Sequence, residues 1–274
     1  MDTATHTTFS SVYGPVHSWR FGRSLGIDPI GHTSTCSFNC VYCQLGEIQT
    51  HTVQRRIFIP TAEIREDLLR FAPWDVDVIT VSGSGEPTLA GNLGDILTLT
   101  KRLTNRPVGV LTNGTLLTES AVRHQLAHAD FVSVKLDAIS SEQIQRVNRP
   151  VQSFNLVQLW AGIQQFRQEY SGHLAIQTML LSAWSEAEQS AYIRLIQAIA
   201  PDEVQLNIAT RPRPLQRVLD ARGNQLPDPS QQMLQWLRPI SSEIVHTLGD
   251  RIQAETGISV RWPKHLGNSR PASF

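Results

Sequence analysis

Cysteine is scarce in this chain: 274 residues hold three, and residues 44–274 contain none. Three thiols are a poor basis for the paired disulfides on which small secreted domains rely. They are also too few for several metal clusters, since iron–sulfur centres are usually held by four cysteines each. Excess charge of either sign is missing too, with 24 lysines and arginines against 24 aspartates and glutamates. No bulk field therefore draws the chain to nucleic acid or to an anionic membrane, although neutrality does not exclude a local basic patch. No apolar run approaches a membrane span. The opening Met1-Asp2-Thr3-Ala4-Thr5-His6 has no basic region leading into an apolar one, so no signal peptide is expected. Internal repeats and low-complexity segments are absent. These absences fit a cytoplasmic protein in a reducing compartment. Its 41% hydrophobic content suffices for a sizeable core. One barrel of about 250 residues would account for most of the length.

The cysteine that is present stands in one run, Cys36-Ser37-Phe38-Asn39-Cys40-Val41-Tyr42-Cys43. The C-x3-C-x2-C spacing puts three thiolates on one tight loop, one fewer than a closed site needs. Structural zinc is normally closed by four protein ligands. Three thiolates suggest instead a [4Fe–4S] cluster with one iron left open. Three buried apolar cysteines are the plainer alternative. Zinc completed by His32 or His51 is the better rival, but the usual zinc pattern is a paired C-x2-C. A non-catalytic zinc or iron–sulfur binding module thus stays open as another class of function. The run resembles the cysteine motif of the radical S-adenosylmethionine (SAM) enzymes, including the aromatic residue before the third cysteine, here Tyr42. That resemblance implies a [4Fe–4S] cluster on Cys36, Cys40 and Cys43, with SAM chelating the open iron.

From about residue 60, amphipathic helical stretches alternate with short β-branched runs, the pattern of βα units on a parallel sheet. Strands are expected over 24–30, 76–82, 108–112, 131–137, 174–180 and 204–209. Helices are expected over 61–71, 94–103, 118–128, 153–169 and 185–199. The sequence Thr210-Arg211-Pro212-Arg213-Pro214 breaks the alternation, and a helix near 229–248 and a strand over 258–262 should follow. Periodicity alone does not separate an eight-stranded barrel from an open doubly wound sheet. The resemblance implies an α/β fold, a partial (β/α)6 TIM-like barrel with a short C-terminal extension. On that division 1–22 is an N-terminal segment, 23–210 the core barrel and 211–274 the extension.

In parallel βα folds functional groups gather at the carboxyl ends of strands. After the second expected strand comes Ser82-Gly83-Ser84-Gly85-Glu86-Pro87, whose glycines permit close backbone approach. Taken alone this is a turn with a glutamate; it also resembles the family's glycine-rich motif. The resemblance implies that Gly83, Gly85 and Glu86 hold the methionyl ammonium of SAM. Ser133, Lys135 and Asp137 alternate along the fourth strand and can share a face. The resemblance assigns this strand to the ribose or carboxylate of SAM; a Lys135–Asp137 ion pair is the structural alternative. Gln177 and Asn207 are candidates for ribose or substrate contacts. Arg211, Arg213, Trp262 and Lys264 are candidates for substrate.

The segment Gly14-Pro15-Val16-His17-Ser18-Trp19-Arg20-Phe21-Gly22-Arg23-Ser24-Leu25-Gly26 resembles the opening of one radical SAM subgroup. That subgroup includes uncharacterised iron–sulfur oxidoreductases and is similar to the enzymes that form the wyosine base of transfer RNA. More distantly, the core resembles the molybdenum-cofactor cyclases. His17 stands where the subgroup has proline and Trp19 where it has arginine, so any grip on an anion passes to Arg20 or Arg23. A flavodoxin or ferredoxin is the implied electron donor. Formal neutrality favours a small metabolite over transfer RNA as substrate, because RNA binding needs a basic footprint.

Overall fold

Apolar runs too short for helices and rich in β-branched residues become the strands of one sheet. Val78–Val81 is buried along its whole length, as a parallel strand covered on both faces must be. The structure, a computed structural model, describes residues 9–223, 230 and 232–263. Its main sheet has eight strands: β1 Val12–Ser18, β2 Gly22–Ile27, β3 Val78–Val81, β4 Val108–Thr112, β5 Phe131–Lys135, β6 His173–Leu180, β7 Glu203–Ile208 and β8 Ser259–Arg261. They lie side by side in chain order, with β1 antiparallel to β2 and all other neighbours parallel. Parallel neighbours need crossover connections. The helices are α1 Thr61–Leu69, α2 Leu93–Thr104, α3 Ser120–Leu126, α4 Ser141–Val147, α5 Leu156–Glu169, α6 Glu186–Ile199 and α7 Ser242–Thr256. The sheet curls into a half-barrel, the α/β partial barrel that the cysteine motif implies. No helix among the described residues is long and apolar enough to cross a membrane.

The six expected parallel strands are β2 to β7. Expectation and structure part at four elements. β1 was not foreseen; its Gly14-Pro15 suits only a sheet edge, where a missing N–H costs no ladder bond. The helix expected over 153–169 begins at Leu156, because the Asn155 side chain accepts from the Val157 and Gln158 amides. A separate short helix, α4, precedes it. The helix expected near 229–248 is α7, thirteen residues later at its start. Pro239 cannot sit inside a helix, whereas Ser241 caps one by accepting from the Ile244 amide. From that cap, Val245, Leu248 and Ile252 form the buried stripe.

Aspartates clamp the amino ends of the strands. Asp77, Asp130 and Asp202 stand just ahead of β3, β5 and β7. Each accepts a backbone N–H from the neighbouring strand: Arg23, Val108 and Leu174, all at 2.8 Å. The opposite ends are left to the loops. There the described part of the C-terminal segment returns over the barrel: Arg222 donates to Asp28 Oδ2 at 2.8 Å, and both side chains are buried. The Gln216 carbonyl approaches Gly46 so closely that a Cβ would lie 2.1 Å from it, and Gly46 has φ +85°. Only glycine fits there.

Candidate functional site

The carboxyl ends of β2 to β7 surround a cavity of about 470 Å3, and Cys36, Cys40 and Cys43 all line it. Two seams hold their loop. On one side Thr35 N donates to Ser84 O and Glu86 N to Thr35 O, each at 3.0 Å. Gly85 makes this possible, since a Cβ there would sit 1.7 Å from the Thr35 carbonyl. On the other side Asn39 N donates to Asn148 O and Val41 N to Val147 O, each at 2.9 Å. Donors also point at the sulfurs: Phe38 N and Asn113 Nδ2 at Cys36 Sγ (3.4 and 3.5 Å), and Asn148 Nδ2 at Cys40 Sγ (3.3 Å). In iron–sulfur proteins such bonds stabilise thiolate ligands and tune reduction potentials.

Burial pushes the Cys40 thiol up to about 12 and raises Cys36 and Cys43 as well. Without a cation beside them the three stay protonated; a bound metal group reverses that balance. Among the described residues no three His, Cys, Asp or Glu side chains are placed to hold a single metal ion. His32 is exposed, and His51 Nε2 lies 2.9 Å from the Ser37 carbonyl.

The glycine-rich turn forms the adjoining wall, with Gly83, Gly85 and Glu86 all lining the cavity. Gly83, at φ +115°, packs against Asp28, so the close approaches of Gly83 and Gly85 are to the protein itself. Glu86 is 2% exposed. Its Oε1 accepts from Thr88 N (3.1 Å), Thr88 Oγ1 (2.7 Å) and Thr112 Oγ1 (2.5 Å), and its Oε2 from Asn113 N (2.7 Å). Burial raises this carboxyl against the pull of those donors.

Of the fourth-strand residues, only Lys135 lines the cavity. Its Nζ lies over the Tyr42 ring, 4.9 Å from the centroid, and no Lys135–Asp137 ion pair forms. Asp137 is buried behind Tyr42. It accepts from the Tyr42 hydroxyl, from Asn148 Nδ2 (2.7 Å) and from Met179 N (2.8 Å). Burial, then the Asp137 charge, raises Tyr42 far above its ordinary value, so its hydroxyl remains a donor. Ser133 faces a smaller cavity at the amino ends of the strands, and its Oγ has no hydrogen-bond partner.

Gln177, Asn207 and Arg211 line the main cavity as well. Oriented to satisfy both groups, the Gln177 amide oxygen accepts from Arg20 Nη2 (2.6 Å) and Nε (2.9 Å). The arginines after β7 bond the loops of the site: exposed Arg211 donates to Gln44 Oε1 (2.9 Å), buried Arg213 to Asn39 Oδ1 (2.9 Å) and half-buried Arg217 to Ser84 Oγ (2.6 Å). Trp262 packs on His246 and Gly249, away from the site, and Lys264 lies outside the described residues. Sequence reasoning left Asn148 unassigned and weighed Arg20 only conditionally. Asn148 follows a helix that the pattern did not reveal. Arg20 had one signal, its place in the opening motif.

A family model described as the radical SAM superfamily matches residues 30–188. A UPF0026 protein of Synechocystis is 53% identical over 257 residues, 93% of this chain and 97% of that one. A probable GTP 3′,8-cyclase of Saccharolobus islandicus is 32% identical over 130 residues, 47% of this chain and 40% of that one. In fold, the chain is similar to Streptococcus suis SuiB bound to its precursor peptide SuiA. The TM-score is 0.63 at 14% identity, over 88% of this chain and 49% of that one. With the cysteine loop, the half-barrel and these matches agreeing, the chain is an enzyme of the radical SAM superfamily, within its UPF0026 group.

Proposed function

We propose that Cys36, Cys40 and Cys43 hold a [4Fe–4S] cluster at the wall of the cavity, that SAM binds beside it, and that the substrate is a small metabolite. When bound, this pair supplies a 5′-deoxyadenosyl radical, by one-electron reductive cleavage of SAM, for abstraction of a substrate hydrogen atom. The observation that carries the assignment is the shared opening of all three thiols onto one cavity, with N–H donors aimed at two of the sulfurs. Gly83, Gly85 and Glu86 form the wall for the methionyl ammonium. Lys135 and Gln177 serve the carboxylate and ribose. Asp137 orients Tyr42, and Ser133 touches neither SAM nor cluster. Arg213 and Arg217 tie the segment after β7 to the loops that wall the cavity. The core spans 23–210, with 1–22 and 211–274 as additions. Flavodoxin or ferredoxin supplies the electron, in the cytoplasm.

Two observations support a small metabolite. Arg213 and Arg217 are committed to the protein's own loops, and part of the chain is similar to a probable GTP 3′,8-cyclase. The opening segment supports a second substrate, a transfer RNA base. Anaerobic reconstitution should load about four irons per chain. Each cysteine-to-alanine variant should fold yet lose the cluster, and the wild type with dithionite should release 5′-deoxyadenosine from SAM. A stable four-iron centre in any single variant would remove the cluster assignment. Stimulation by bulk transfer RNA alone, weakening steeply with salt, would move the substrate to RNA.

A further inference from the structure

The turn between β1 and β2 reaches across the half-barrel to its opposite edge. The Phe21 ring packs on Phe131 with centroids 4.7 Å apart, and Arg261 of β8 donates to the carbonyls of Trp19 (3.2 Å) and Arg20 (3.4 Å). This carries Arg20 inward, where it lines both the main cavity and the smaller one below it. Its guanidinium lies over the Trp19 ring, 4.5 Å from the centroid, and is oriented by the neutral Gln177 amide.

No carboxylate stands within ion-pair distance of Arg20 among the described residues. Glu203, the acid that acts on it, bonds Arg261 at 3.1 Å and Gln205. Glu86, on the other wall, is occupied by its own four donors. Arg211 lines the same cavity. Burial, then the charges of Arg211 and Arg261, lower Arg20 to about 10. A half-buried, positioned guanidinium beside a second cation is costly unless an anion joins it. Its planar fork matches a carboxylate or phosphate with two parallel bonds.

We propose that Arg20 grips the terminal carboxylate or phosphate of a small substrate at the floor of the cavity. This rests on the reading of the cavity given above and names the chemistry of the substrate. Lys135, over Tyr42, is the separate cation for SAM.

The test is calorimetric titration of the reconstituted full-length protein with succinate and with inorganic phosphate, with and without SAM. Variants Arg20→Gln, Arg20→Lys and Lys135→Met accompany the wild type. The wild type should bind at least one anion, and Arg20→Gln should weaken it by roughly tenfold or more, as loss of a charge-assisted bond implies. Arg20→Lys, which keeps the charge without the fork, should fall between and covers the case in which Arg20→Gln does not fold. Cluster absorbance should stay within about twofold of wild type in both, and SAM affinity should fall less than anion affinity, because Arg20 reaches the SAM side only through the shared Gln177 amide. Failure of the wild type to bind either anion, undiminished binding by both Arg20 variants, or loss only in Lys135→Met would overturn the proposal. So would an equal loss of SAM affinity, which would hand Arg20 to the cofactor, or displacement of the anion by a single-stranded oligoribonucleotide. A wild type that takes up neither cluster nor SAM would defeat the earlier reading, while the anion titration still decides the role of Arg20.

Discussion

Glu86 shows how one side chain can serve a site and hold it together. Its two oxygens take four hydrogen bonds, and the donors come from its own turn and from the end of β4. Those bonds fix the glycine-rich turn against Thr112 and Asn113, and Asn113 in turn points its amide at Cys36 Sγ. Removing the carboxylate leaves four buried donors without their acceptor. Glu86→Ala should therefore lower stability by roughly 2–4 kcal/mol, given about 1–3 kcal/mol for a buried unsatisfied group. Urea unfolding of the cluster-free protein measures this without interference from SAM. A loss under about 1 kcal/mol would mean the donors find other partners. The consequence for function is that weakened SAM binding by Glu86→Ala does not alone identify a direct contact.

At the scale of elements, the amino ends of the strands hold the sheet and the carboxyl ends hold the chemistry. Asp202 is the clearest clamp: it accepts from the Leu174 amide and pairs with Arg167 through two bonds of 2.9 and 3.0 Å. Burial opposes its charge, but the Leu174 amide and Arg167 hold the carboxyl below its ordinary value. The sign follows from linkage: a depressed carboxyl adds stability above the unfolded value, near 3.9, and loses it as pH falls through the folded value. Asp202→Asn should cost about 1 kcal/mol at pH 7, a figure discounted because the pair is partly exposed. The gap in melting temperature between the two proteins should begin to narrow as the pH falls below about 4 and close only below the folded value of the carboxyl. A gap undiminished at pH 2 would show that shape, not charge, makes the clamp.

What could be read in advance follows the same division. Strands β2 to β7 were legible because Val, Ile and Leu runs bounded by turns leave few alternatives to a buried parallel strand. The cysteine loop was legible because its three cysteines fall within one run of eight residues. β1 escaped because Gly14-Pro15 interrupts it, and α4 because seven residues carry too little periodicity. Placing α7 near 229–248 missed the cap at Ser241. Asn148 escaped for a different reason: it reaches Cys40 from 108 residues away, and no local pattern encodes such a contact.

The whole molecule depends on a tie between its two ends. Arg222, after β7, donates to Asp28 at the end of β2 and to the Ser10 carbonyl, and its guanidinium lies over the Phe9 and Tyr13 rings. Asp28 spends its other oxygen on the Ile30 and Gly31 amides, which open the path into the cysteine loop. The Asp28 side chain is fully buried and that of Arg222 nearly so. Breaking such a pair from one side is severe, because the remaining charge stays buried alone. Arg222→Met should cost about 3–5 kcal/mol, the usual range for this disruption. The double variant Asp28→Asn, Arg222→Met should recover part of it, because Asn keeps a carbonyl for the Ile30 and Gly31 amides and brings no charge. Limited proteolysis supplies the structural readout. Cleavage in 211–223 should rise in Arg222→Met and fall back in the double variant. Equal stability of the two variants would show that Asp28 is neutralised without Arg222, and that the C-terminal segment is held over the cavity by the Arg213 and Arg217 contacts instead.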